Sequence, residues 1–588
     1  MPFEATRPEL VWPGKYDEQG RRRVVDRVTL PFRVVERLGG EPAGAFEDGW
    51  RNQLIWGDNQ RVMSSLLDRH AGQVDLIYLD PPFASGGDFV MTVPIGDGSP
   101  AGETSGASSF ETTLYRDSWQ GGLGTYLAML ADRLTLMREL LRDTGSLYIH
   151  VDAIAGHYVK VVADEIFGAG SFQREIIWRI GWVSGFKSAA RNWIRNHDTI
   201  LFYVKSPGSF TFNKTYVPYP PGYRRRGGGE PTGKGYPIDD VWNASPAEQE
   251  LKGEDSLDSI QIKSFSNEKT GYATQKNESV LRRIIEASSN PGDLVADFFC
   301  GSGTTQAVAE KTGRRWIGAD LGRSAIHITR KRLLDIPGCR PFDLLDLGPH
   351  ERTHWQMATF GGNTDDYMAA MLRLYGAAPL AGSTHLHGRM GEAAVHIGAA
   401  DVPVSADEIA LCLEECALVG AKELHILGWD WQPGVQDPAA ADAAARGVDL
   451  LLRQIPRELM EDQAVARGDI TFFELARLDL QLRPTRRRHE VVVTLRHFDL
   501  PHPDLLSGTV REKIARWSDH VDSWAVDWTF TGDTFEPGWV TYRTRKARSL
   551  RWESDPHVFD GPGEYTVMVK VVDIFGNDTA WVRPVTIA

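Results

Sequence analysis

The sequence predicts an α/β fold over residues 51–345, a second α/β or α+β domain after it, and a C-terminal β-sandwich. Three observations carry this. Between Gln53 and Leu345, short apolar runs alternate with amphipathic stretches, the rhythm of a parallel sheet with crossover helices. The runs are almost continuously apolar, which suits strands covered on both faces. Beyond about residue 515, SWAVDWTFTGD, YTVMVKVVDIFGND and AWVRPVTIA alternate aromatic and β-branched residues with turns, as a sandwich does.

Taken in order, residues 1–50 read as an N-terminal extension. Strands are expected at VDLIYLD (74–80), GSLYIHVD (145–152), TILFYVK (199–205), DLVADFF (293–299) and RRWIGAD (314–320). Residues 125–143 and 278–289 place apolar side chains at three- and four-residue spacing, the period of a helix with one buried face. Two stretches break the rhythm. Residues 84–118 are rich in Gly, Ser and Thr, and so long a loop in a compact domain is usually mobile or functional. Residues 206–272 carry many Pro, Gly, Tyr, Arg and Lys residues. Both are candidates for substrate contact. Residues 346–510 contain AVHIGA, KELHILGWDW, ITFFELA and EVVVTLRHFDL between helical segments, which makes them the middle domain. Residues 515–588 form the sandwich. There is no internal repeat.

Composition narrows the class. The 588 residues are 42% hydrophobic and 24% charged, ordinary for a chain with several cores. No apolar run approaches the ~20 residues of a membrane span. The first residues lack the charged-then-apolar layout of a secretory signal, so a cytoplasmic protein without a membrane partner is expected. Four cysteines are too few for a disulfide framework. Cys412 and Cys416 lie one helical turn apart with no nearby His/Cys pair to complete a metal site, and read as buried helix residues. The net charge of −14 is a weak guide to nucleic-acid binding, which depends on local basic patches. Such clusters occur at 224–226, 486–488 and 543–551.

Three motifs carry chemistry. DPPF, Asp80–Pro81–Pro82–Phe83, ends the strand 74–80. Its prolines fix φ and hold the turn rigid, which limits the drift of the Asp80 carboxylate and the Pro81 carbonyl. Two such acceptors suit one NH2 group, and the Phe83 ring offers a stacking face. An exocyclic amine is a poor nucleophile because its lone pair is delocalised into the ring. Acceptors on its hydrogens favour the pyramidal nitrogen of the transition state. The second motif, DFFCGSGTT, runs from Asp297 and Phe298 through Gly301, Ser302 and Gly303 to Thr304 and Thr305. Its glycines allow a tight turn and close backbone approach, and the following helix start offers N–H groups to an anion. The next strand ends in Asp320, placed to accept ribose hydroxyls, and the set points to an adenosyl ligand. The third motif is Gly57–Asp58–Asn59, where Asp58 suits either an adenine amino group or the N-cap of a helix starting at Asn59.

The order of DPPF before FxGxG resembles the DNA amino-methyltransferases of permuted β order, over about residues 50–345. TQKNESVLRRIIEASSNPGDLVADFFCGSGTT (274–305) is similar to the TQKP segment of that family running into its cofactor motif, with Asn277 where proline is usual. HVD (150–152) and REIIWRIGW…NHDTILFYVKS (174–206) also look like family blocks. The resemblance implies a Rossmann-like, S-adenosylmethionine-dependent methyltransferase domain at 51–345, acting on adenine N6 in double-stranded DNA. It implies that Asp80, Pro81, Pro82 and Phe83 bind and activate the base. Asp58, Asp297, Phe298, Gly301, Ser302, Gly303, Thr304 and Asp320 would surround the cofactor, with Thr274, Gln275 and Lys276 near its methionine end and no metal. Residues 206–272 fall where the family places target recognition, and Arg224, Arg225 and Arg226 suit phosphates there. Residues 518–588 resemble PKD/immunoglobulin-like domains. The long layout resembles modification subunits of restriction systems, which implies a helicase–nuclease partner, and a homodimer fits the same layout.

Alternatives of other classes fit less well. Cytosine N4 methylation uses the same acceptors. Carbon-5 methylation needs a Pro-Cys motif, which the sequence lacks. Protein- or RNA-amide methyltransferases place the cofactor motif before the catalytic one. A non-catalytic DNA-binding subunit is expected to lose Asp80 or the glycines, and a dehydrogenase needs the third glycine of GxGxxG.

Overall fold

The computed structural model describes residues 9–39, 46–83, 87–97, 109–116, 119, 122–180, 191–219, 222–251, 256–257, 266, 268–468, 470–499, 514, 516–544 and 547–588. The chain forms two compact units. The first comprises Met1–Leu30, Leu38–Thr92 and Glu111–Asp346; the second comprises Pro31–Arg37, Val93–Phe110 and Leu347–Ala588. No helix among the described residues is long and apolar enough to cross a membrane.

The first unit is α/β. Its principal elements are β1 (Asn52–Trp56), α1 (Asn59–His70), β2 (Val74–Leu79), α2 (Leu123–Leu140), β3 (Leu141–Val151) and α3 (Gly156–Phe167). They continue with β4 (Phe172–Arg179), β5 (His197–Val204), β6 (Val241–Trp242), α4 (Glu278–Ser288) and β7 (Leu294–Asp297). The last are α5 (Thr304–Lys311), β8 (Arg315–Asp320), α6 (Arg323–Leu334) and β9 (Phe342–Asp346). The strands hydrogen-bond in the order β9-β1-β8-β7-β2-β3-β5-β4-β6. Every residue of β2 and β7 is buried, which is why their sequences are nearly unbroken apolar runs. Leu76, Tyr78, Tyr148, Trp178, Ile284, Val295 and Trp316 belong to one core between sheet and helices.

The expectation of a parallel sheet holds from β9 to β3 and fails beyond it. There β5 runs antiparallel to both β3 and β4. The chain leaving β4 reverses beside itself, with the Ile180 N–H donating to the Asn196 carbonyl at 3.0 Å, whereas α3 provides the crossover from β3 to β4 that keeps those two parallel. The long loop expected at 84–118 is partly regular, since Asp88–Pro94 and Ser109–Arg116 form a two-stranded sheet. Residues 84–86, 98–108 and 117–118 of that stretch lie outside the described residues.

The second unit contains a mixed sheet in which Ala393–Ile397, Glu423–Gly428 and Asp449–Gln454 run parallel. The helices Ala406–Val419 and Gln436–Arg446 connect these strands. Cys412 and Cys416 are fully buried in that core. The sandwich is larger than the sequence predicts. Arg477–Pro484 and Glu490–Asp499, expected in the middle domain, pair with each other, and Glu490–Asp499 also pairs with His557–Val558. Val493, Leu495 and Phe498 share a core with Trp524, Val569 and Val571. Alternation along 477–484 and 490–499 marks strands but does not say which sheet they join.

Candidate functional site

Four adjacent parallel strands, β1, β8, β7 and β2, end on the same edge of the sheet. In open α/β sheets the carboxyl ends of strands are where ligands bind. Asp58 follows β1, Asp320 closes β8, Asp297 closes β7 and Asp80 follows β2. Motifs separated by more than 200 residues in sequence thus meet on neighbouring strands, with Val295 of β7 paired to Leu76 of β2.

At the turn after β2, the Asp80 carboxylate is hydrogen-bonded by the Lys276 ammonium. The same ammonium lies 5.3 Å from the centroid of the Phe83 ring. Pro81 is buried, and Pro82 and Phe83 are half-buried. Behind Phe83 stands His150, with ring centroids 6.2 Å apart. His150 is fully buried. Its Nδ1 is 2.7 Å from the Tyr78 hydroxyl and its Nε2 is 3.4 Å from Asp198 Oδ2. Burial alone pushes the Asp198 carboxyl up, but His150, Arg195 and Lys276 outweigh it and hold the pKa at about 2. Burial drives the Tyr78 hydroxyl far above its usual range, helped by Asp80, Asp297 and Asp198.

The turn after β7 is built by two glycines with positive φ. Gly301 has φ +51° and Gly303 has φ +71°. A Cβ on Gly303 would lie 2.5 Å from Thr329 Cγ2, so only glycine fits this turn. The Gly303 N–H donates to the Cys300 carbonyl at 2.7 Å, and the Thr329 hydroxyl donates to the Gly301 carbonyl at 3.1 Å. Gly303 is the N-cap of α5 and supplies no side-chain cap, which leaves first-turn N–H groups for an anion. The Thr304 hydroxyl reaches the Lys276 carbonyl at 3.3 Å and lies 3.3 Å from the Ser302 hydroxyl. Phe298 is fully buried, and its carbonyl accepts the Asn59 amide at 2.9 Å.

The carboxylates differ in what they do locally. Asp297 accepts the Thr305 hydroxyl at 2.6 Å and the Phe299 N–H at 3.0 Å. Its burial, with Asp80 and Asp320 nearby, pushes its pKa up to about 7 despite these bonds. Asp320 accepts the Gly301 N–H and the Gly322 N–H, both at 2.8 Å, and burial raises its pKa. Each oxygen retains a lone pair for another donor. Asp58 caps α1, accepting the Gln60 and Arg61 N–H groups at 3.1 Å, while its second oxygen meets Arg133 at 3.0 Å. Its capping role is therefore realised.

Thr274 is half-buried. Gln275 and Lys276 are buried, and their side chains make different contacts. Gln275 accepts the Thr270 N–H at 2.8 Å and donates to the Glu268 carbonyl at 2.6 Å, fastening its own loop. Lys276 turns to Asp80. Arg224, Arg225 and Arg226 are not brought into this cluster by any contact among the described residues. They are exposed on a turn between the paired strands Tyr216–Val217 and Tyr236–Pro237. Arg224 contacts the Gly228 carbonyl at 3.4 Å and Glu230 at 3.5 Å, and Arg225 contacts the Thr232 carbonyl at 3.2 Å. Tyr219 and Tyr223 stack beside them at 4.9 Å. Beside the predicted site residues lie His150 and Asp198, in segments that the sequence marks only as family blocks, and Arg133 and the Tyr78 hydroxyl, which it does not single out. The available signal is polar residues inside otherwise apolar strands, GSLYIHVD and NHDTILFYV.

Residues 74–331 match the family model for DNA methylases. The type II methyltransferase M.EcaI of Enterobacter cloacae is 29% identical over 386 residues, covering 56% of this chain and 79% of its own length. The DNA adenine methyltransferase YhdJ of Escherichia coli strain K12 is 27% identical, over 50% of this chain and 87% of its own. The Mod subunit of the type III restriction-modification enzyme StyLTI of Salmonella typhimurium is 34% identical over 131 residues, 22% of this chain and 20% of its own. With the Asp-Pro-Pro-Phe turn and the glycine turn on adjoining strands, residues 74–331 belong to the N6/N4 DNA methylase family.

Proposed function

We propose that this chain transfers a methyl group from S-adenosylmethionine to the N6 amino group of adenine in double-stranded DNA, as the modification subunit of a restriction or phage-defence system. The observation that carries the reading is the adjacency of Asp80–Phe83 and the Gly301–Gly303 turn at the carboxyl ends of paired strands β2 and β7. The glycine turn, the open start of α5 and the Asp320 carboxylate fit an adenosyl ligand with a carboxylate tail. When bound, that ligand supplies an electrophilic methyl on a sulfonium. The protein supplies acceptors. The Asp80 carboxylate and the Pro81 carbonyl take hydrogen bonds from the target amine and favour the pyramidal nitrogen whose lone pair attacks. Phe83 stacks on a base taken out of the duplex, and His150 packs behind it. The N–C bond forms as the S–C bond breaks, and the amine then loses a proton to Asp80 or to water.

Adenine is favoured by the acidic first residue of the turn and by the likeness to an adenine methyltransferase. Membership of a restriction system is favoured by the likeness to a Mod subunit. The test is long-read sequencing of DNA from a methylation-free host expressing the chain or its Asp80→Ala variant. Methyladenine in one short motif, absent from the variant, is expected. Methylcytosine at a motif would move the target to N4, and no modification even with a partner subunit present would refute the enzymatic reading.

A further inference from the structure

Lys276 stands in the segment expected at the methionine end of the cofactor, yet its ammonium is committed elsewhere. It donates to Asp80 Oδ2 and lies 5.3 Å from the Phe83 ring centroid. Among the described residues, it is the side chain that donates to this carboxylate. The two side chains are 7% and 17% exposed, so water competes little for the bond and the pair is held more firmly than a surface pair. The backbone of Lys276 is fixed as well, because its carbonyl accepts the Thr304 hydroxyl at 3.3 Å. Thr304 opens α5 directly after the glycine turn and also receives Arg332 at 2.9 Å. One residue therefore ties the cofactor turn, by its main chain, to the acceptor carboxylate, by its side chain.

We infer that Lys276 is a positioning residue for Asp80, not a ligand of the cofactor. An aspartate side chain has two rotatable bonds and two equivalent oxygens. Anchoring Oδ2 on Lys276 leaves Oδ1 as the oxygen that meets the target amine, in one orientation beside the Phe83 face. Methyl transfer is sensitive to such placement because an acceptor off by about 1 Å can cost on the order of 100-fold in rate. The inference rests on the proposed methylation and refines which group orients its acceptor.

The test compares the full-length protein with Lys276→Met and Lys276→Arg. Cofactor affinity is measured by equilibrium binding of S-adenosylmethionine without DNA. The single-turnover rate of methyl transfer to unmethylated genomic DNA is measured with both saturating. Lys276→Met is expected to keep the cofactor Kd within about twofold while the saturated rate falls tenfold or more, and Lys276→Arg is expected to recover most of that rate. A Kd raised tenfold with the saturated rate unchanged would make Lys276 a cofactor ligand and overturn the inference, as would no change in either quantity. Should Met at this position lower the thermal midpoint, Lys276→Gln carries the same comparison. A wild-type protein that methylates no DNA in this assay refutes the proposed function instead, so the two failures are distinguishable.

Discussion

Gly303 is a residue at which the backbone permits little variation. Its φ of +71° costs an L-residue about 1 kcal/mol, and a Cβ there would press on Thr329 Cγ2 at 2.5 Å. Overpacking of that kind adds roughly 1–3 kcal/mol. Gly303→Ala is therefore expected to lower stability by about 2–4 kcal/mol and to weaken cofactor binding, checked by denaturant unfolding and equilibrium binding. A variant of unchanged stability would show that the turn relaxes. Asp297 gives a pH prediction at the same scale. Its folded pKa, pushed up to about 7, lies above the ordinary value of 3.8. Between those values the folded state keeps a proton that the unfolded chain has lost, so this group's contribution to stability is complete below about pH 4 and falls away as pH rises toward 7. The loss is on the order of 1.4 kcal/mol per pH unit at most. Urea midpoints measured from pH 4 to 8 are expected to show that decline. Asp297→Asn is expected to flatten it, whatever its effect on absolute stability, and an unflattened slope would assign the decline to another group.

The turn between Tyr216–Val217 and Tyr236–Pro237 makes its prediction as an element. Arg224, Arg225 and Arg226 are exposed there, and their interactions among the described residues are surface ones. Surface pairs of this kind contribute little to stability, so replacing all three with alanine is expected to leave the thermal midpoint within a degree or two. If the element tracks the DNA backbone, the triple variant binds duplex DNA more weakly and with a shallower salt dependence, the slope falling by up to roughly 0.9 for each phosphate that an arginine had neutralised. Anisotropy titrations over a salt series check this, and an unchanged slope removes the turn from the DNA interface. At this scale much was legible in the sequence. The strands β2 and β7 are nearly unbroken apolar runs because both faces are covered, and DPPF and GSG follow them because proline and glycine fix turns locally. Strand direction was not legible at β5, because periodicity marks a strand without saying whether it runs parallel or antiparallel to its neighbours. The pairing of Lys276 with Asp80 was not legible either, since a side chain's partner 196 residues away is decided by the whole sheet.

For the whole molecule, unit membership departs from chain order, and this bears on how the protein can be divided. A cut after residue 346 separates two domains on a linear reading. Yet Pro31–Arg37 and Val93–Phe110 belong to the second unit, and charged groups on them are completed by its C-terminal residues. Glu36 is buried and pairs with Lys570 at 2.6 Å. Asp97 meets Arg543 at 2.7 Å and Arg516 at 3.3 Å, while Arg548 donates to the Gly96 carbonyl at 2.8 Å. The basic stretch 543–551, a candidate nucleic-acid patch by sequence, thus directs its Arg543 and Arg548 inward. Removing one partner of a buried ion pair is strongly destabilising, by about 3–5 kcal/mol. Lys570→Met, which keeps the aliphatic bulk, is therefore expected to destabilise the second unit by that order. Residues 347–588 expressed alone are expected to unfold at lower denaturant than the same strands in the intact chain, because they lack both N-terminal segments. Hydrogen exchange on strands 521–527 and 563–573 measures both effects in one experiment. If the isolated fragment protects these amides as well as the full chain does, the two segments add nothing to the second unit's stability and the linear division is adequate.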